Sequence, residues 1–81
     1  MKVAVRLFAK ARDLAGTGSL ECEFPGACRV SDLKQELVTR FPPLAPLVPR
    51  LLIAVGTDYA DDSTPLSSDS EVACFPPVSG G

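Results

Sequence analysis

Histidine is absent from this chain, and with it goes the side chain that most often serves as a general base or zinc ligand near neutral pH. Cysteine is scarce: Cys22, Cys28 and Cys74 make an odd number with no CxxC spacing. This excludes the usual Cys/His zinc sites and argues against a secreted disulfide framework. The three are expected to be reduced thiols, with Cys22 and Cys74 as small core hydrophobes on strands and Cys28 exposed and oxidisable in the Pro25–Arg29 loop. There is no nucleophile elbow and no glycine-rich phosphate loop, so no bound cofactor or metal is expected. No apolar run approaches the roughly 20 residues that cross a membrane, and the opening MKVAVRLFAKAR mixes charges into its apolar residues, unlike a signal peptide. Nor is there an excess of positive charge. Eight Lys and Arg face ten Asp and Glu, a net charge of −2, so neither nucleic acid nor an anionic membrane is an expected partner. With 46% hydrophobic and 22% charged residues, the 81-residue chain reads as one small folded domain, expected to be cytoplasmic.

What the chain does contain is strand alternation around one helix. Residues 2–9, KVAVRLFA, put Val3, Val5 and Leu7 on one face and Ala4, Arg6 and Phe8 on the other. KARDLAGTG has one turn of good helix formers stopped by Gly16 and Gly18. SLECEF alternates again, with Leu20, Cys22 and Phe24 inward, and is expected to pair with the first strand as a hairpin. After Pro25-Gly26, Ser31 reads as an N-cap, and Leu33, Leu37, Val38 and Phe41 form a helical stripe that Pro42-Pro43 ends. PPLAPLVPR is expected to be an extended crossing loop. LLIAV and EVACF are further strands, with one very short strand near Tyr59 between them. Asp58, Asp61 and Asp62 read as a solvated turn, because a calcium loop's glycine and closing glutamate are missing. The expected fold is α+β: a four- to five-stranded mixed sheet with one long helix on one face, over residues 1–75.

One helix covers one sheet face. The other would receive Ala4, Arg6, Phe8, Leu52, Ala54, Ala73 and Phe75, too apolar a set for an ordinary solvated face. Phe8, Leu52 and Phe75 are therefore expected to be exposed and to dock a partner. The rival reading lays the crossing loop, with Leu44, Leu47 and Val48, over the same face.

Residues 76–81 are read as an extended reactive tail. Pro76 and Pro77 cannot donate to a ladder and favour a stiff polyproline path. Phe75 to Gly81 spans six residues, a reach of roughly 20 Å. Val78 and Ser79 would line the partner's channel with the two prolines, and Gly80 and Gly81 pass a narrow one without a Cβ clash. The terminal carboxylate can attack the α-phosphorus of ATP to give an acyl-adenylate, which sulfide or an amine can open. The candidate reactive centre is the Gly81 carbonyl carbon, with Gly80 beside it.

VRLFAKARDLAG, LLIAVGTDY and EVACFPPVSGG together resemble the MoaD family, the small sulfur-carrier subunits of molybdopterin synthase, with a ubiquitin-like β-grasp fold. The resemblance implies that a MoeB-type enzyme uses ATP to adenylate Gly81, which then becomes a thiocarboxylate. It implies insertion of the tail into a MoaE-type large subunit, in a heterotetramer, and sulfur donation to a cyclic pyranopterin monophosphate to build the dithiolene. Catalytic lysines would belong to the large subunit. Where the family usually shows Val-Asn and a D-G-D-E-V run, this chain has Val55-Gly56 and Ser68-Asp69-Ser70-Glu71-Val72. The alternatives are a carrier for thiamine synthesis or tRNA thiolation, a ubiquitin-like protein modifier, and a passive interaction domain with an inert end.

Overall fold

In the computed structural model, residues 1–68 and 70–77 are described; Asp69 and Val78–Gly81 lie outside the described residues. The elements run β1 (Lys2–Leu7), α1 (Ala9–Ala15), β2 (Ser19–Glu23), β3 (Cys28–Arg29), α2 (Val30–Arg40), β4 (Leu52–Val55), β5 (Asp58–Ala60), β6 (Pro65–Leu66) and β7 (Glu71–Phe75). The main sheet has the order β2-β1-β7-β4-β5, while β3 and β6 form a separate small ladder. β1 and β7 are parallel neighbours at the centre, and every other pairing is antiparallel.

Period-2 burial along β1 and β7 sends Val3, Val5, Leu7, Val72 and Cys74 into the core, where Ile53 of β4 and Cys22 of β2 join them. α2 lays Val30, Leu33 and Leu37 across this face. Val38 and Phe41, expected on the same stripe, are only partly buried against it. The first helical turn hinted at by the sequence is realised as α1, closed by Gly16 in the left-handed region at φ 78°. Gly56 adopts φ 63° between β4 and β5, a conformation that glycine and asparagine tolerate best.

Two expectations need correction. The helix begins at Val30, so Ser31 is not its cap. Instead the Asp32 carboxylate accepts from the Arg29 backbone N–H (2.8 Å), and the first helical N–H groups, Val30 and Ser31, donate to the Thr64 and Asp62 carbonyls (3.0 Å each). Neighbouring backbone does the work a hydroxyl was expected to do. The stretch after α2 is likewise not extended: it folds into two 3₁₀ turns, Pro42–Leu44 and Val48–Arg50. Their Leu44 and Val48 are buried in the core on the helix side. Proline at the start of each turn fits, since φ is preset and no donor is lost there.

Candidate functional site: the open sheet face and the root of the tail

Because the crossing segment packs beside α2, it leaves the other sheet face open. Strand register places the residues of that face. Ser19, Arg6, Ala73, Ala54 and Tyr59 form one row across all five strands. Toward the C-terminal end of β7, Phe75 stands opposite Leu52 and stacks on Phe8, ring centroids 4.9 Å apart and planes 11° from parallel. Phe8 is 39% exposed and Leu52 42% exposed, as expected for a docking patch. Phe75 departs from the expected exposure: it is half-buried, because the Phe8 ring covers one side of it. The sequence reading missed Tyr59, the most exposed large apolar side chain among the described residues at 76%. Its position opposite Ala54 could have been found by extending the alternation into the three-residue strand β5.

The chain conformation helps to set this patch. Phe8 donates its backbone N–H to the Cys74 carbonyl (3.2 Å), extending the β1–β7 ladder by one residue. Ala9 then takes φ 53° to turn the chain into α1, a left-handed conformation that is unfavourable for a residue with a Cβ. The strained turn lies next to the patch, at the end of the sheet where β7 runs into Pro76 and Pro77. The patch is thus at the root of the tail. Val78, Ser79, Gly80 and Gly81, the remaining candidate residues, lie outside the described residues.

Away from the patch, several titratable groups hold loops together or lie in the core. Asp61 accepts hydrogen bonds at Oδ1 from the Ser63 hydroxyl (2.7 Å), the Ser63 N–H (3.0 Å) and the Thr64 hydroxyl (3.2 Å), which hold its carboxyl below the usual range. Asp62 pairs with Lys34 at 2.7 Å. Cys28 is buried, contrary to its expected exposure, because β3 pairs with β6 and closes over it. Cys22 and Cys74 are fully buried, and burial pushes the Cys74 thiol up to about 12.

That shift has a defined sign. The folded chain holds the Cys74 proton more tightly than the unfolded chain, whose thiol titrates near 8.5. Its contribution to stability is therefore complete below about pH 8.5 and is lost as pH rises toward about 12. The melting temperature is expected to fall between about pH 8 and pH 10, and Cys74→Ala should flatten this slope while lowering the neutral-pH baseline. An unchanged slope in the variant, measured by circular dichroism, would assign the alkaline loss to other groups.

A central parallel pair, flanking antiparallel strands and a helix held across one face define the ubiquitin-like β-grasp class. Within that class the chain belongs to the ThiS family, whose model matches residues 5–81. The molybdopterin synthase sulfur carrier subunit of Arabidopsis thaliana is 33% identical over 81 residues, covering 100% of this chain and 84% of that protein. A Pyrococcus furiosus structure described as a candidate molybdopterin converting factor, subunit 1, superposes with a TM-score of 0.87 at 32% identity, covering 96% of this chain and 99% of that one. A chain in a complex of subunits 1 and 2 of the Helicobacter pylori molybdopterin-converting factor shares the fold, with a TM-score of 0.71 at 22% identity and full coverage of both chains. The family resemblance read from the sequence holds.

Proposed function

We propose that this chain is the sulfur-carrier subunit of a molybdopterin synthase, acting as a protein co-substrate whose reactive group is the Gly81 carboxyl. The observation that carries this reading is the placement of an apolar patch, exposed Phe8 and Leu52 with half-buried Phe75, at the end of the strand that leads into the tail. The names of the curated relatives supply the pathway. In the proposed cycle a MoeB-type enzyme presents ATP, and a carboxylate oxygen of Gly81 attacks the α-phosphorus, expelling pyrophosphate. A sulfide equivalent then adds to the acyl carbon and expels AMP, leaving a thiocarboxylate. Inserted into a MoaE-type subunit, its sulfur forms a bond to a pyranopterin carbon as that carbon's bond to oxygen breaks and the oxygen leaves with a proton. Water later cleaves the acyl–sulfur bond, restoring the carboxylate and leaving the sulfur on the pterin. The complex is proposed to be a heterotetramer, a dimer of the large subunit with one carrier at each end. A second subunit in the Helicobacter pylori structure supports this type of partner.

The direct test is intact-mass analysis after incubation with ATP, a sulfur source and the activating enzyme. Exchange of one oxygen for sulfur, localised to Gly81, supports the reading. An unchanged mass under conditions that load a control carrier contradicts it, and modification of protein lysines instead would point to a ubiquitin-like modifier. Phe8→Ala is expected to weaken large-subunit binding by about 2 kcal/mol, roughly 30-fold, as measured by titration calorimetry. Binding within about twofold of the parent would remove Phe8 from the interface.

A further inference from the structure

The open face is divided by charge along the strand direction. Four residues below Phe8, roughly 13 Å along the strand, Ala4 stands between Glu21 of β2 and Glu71 of β7. Lys2 stands opposite Glu23 in the strand register beyond them, so this end carries three carboxylates and one ammonium. Arg6 occupies the row between this acidic end and the apolar patch. Among the described residues the ion pairs are Lys34–Asp62 and Arg40–Glu36, so Arg6, Glu21 and Glu71 are unpaired there. A concavity of about 190 Å³, lined by Ala4, Arg6, Gly56, Glu71, Val72 and Ala73, opens at the boundary. Its small floor gives a partner side chain access to both charges.

We infer that this face docks its partner protein in one orientation, set by that division: the partner offers an apolar platform to Phe8, Phe75 and Leu52, a carboxylate to Arg6, and a lysine or arginine to Glu21 and Glu71. The inference rests on the docking reading above and adds the partner's chemistry. Apolar contact alone is non-directional and would hold the patch at many rotations. Opposed charges along the face admit one of these, because the reversed placement brings like charges together. A tail that must enter a channel needs that selection. Alanines at positions 4, 54 and 73 keep the middle of the face low, so charged groups on both sides can meet.

The test is stopped-flow binding of the organism's own subunit-2 protein to the full chain at about 50 mM and about 500 mM salt. Glu21→Lys with Glu71→Lys, and separately Arg6→Glu, are each expected to slow association about tenfold at low salt and to approach the parent at high salt. Melting temperatures should stay near the parent, since all three side chains are exposed. Glu21→Gln with Glu71→Gln should give a smaller slowing in the same direction, a check that does not depend on tolerance of the reversals. Association indifferent to all of these changes overturns the charge-selected orientation while leaving the carrier reading intact. No binding by the parent chain would overturn both, and loading of Gly81 in the mass assay separates the two failures.

Discussion

Removal of Gly81 is expected to leave the folding transition in place and to abolish sulfur transfer. Among the described residues the buried core ends at Cys74 and the last strand at Phe75, six residues before position 81 in the sequence. Chemically the deletion is severe. The shortened chain still carries a carboxylate, now on Gly80, but this sits about 3.5 Å short of its former reach. Misplacement of reacting atoms by about 1 Å can cost about 100-fold, so a loss beyond about 1,000-fold in loading is expected. Circular dichroism melting and intact-mass loading measure the two halves of this prediction. A shortened chain that acquires sulfur at the parent rate would show that position 81 is not the reactive end.

The second large effect concerns stability. Leu44→Ala should destabilise the fold by about 3 kcal/mol through lost burial and the cavity left behind. Leu44 is fully buried although it comes from a proline-rich connection. A domain of this size has about 4–12 kcal/mol in all, and each kcal/mol is worth about 4–8 °C in melting temperature. A fall of roughly 12–24 °C is therefore expected by calorimetry. Leu47→Ala, at a partly buried position, should cost clearly less. Equal and small effects at both positions would mean that this segment only lies on the surface.

These two residues also show what could and could not be read from the sequence. The alternation of Val3, Val5 and Leu7 against Ala4, Arg6 and Phe8 is local, so both faces of β1 were legible, and with β4 and β7 they indicated an uncovered face. The reading of the Pro-Pro-Val-Ser-Gly-Gly ending rests on sequence and terminal chemistry alone, and its last four residues lie outside the described residues. Leu44 and Val48 were not: prolines argue against helix and strand, and only the space beside α2 shows that short 3₁₀ turns can bury both residues. The N-terminus of α2 was misplaced by two residues because its donors are satisfied by Asp62 and Thr64, about 30 positions away. The burial of Cys28 depends in the same way on a two-residue ladder with β6. Local pattern revealed the faces, while long-range backbone pairing decided the ends.

The position of β7 has a mechanical consequence. This strand lies between β1 and β4, hydrogen-bonded on both sides, and its last residue leads straight into the tail. Tension applied to the tail acts along the strand axis and shears both ladders at once, whereas an edge strand peeled sideways would give way one bond at a time. A partner holding the far end under tension, as the proposed insertion requires, would load the middle of the sheet and not an edge.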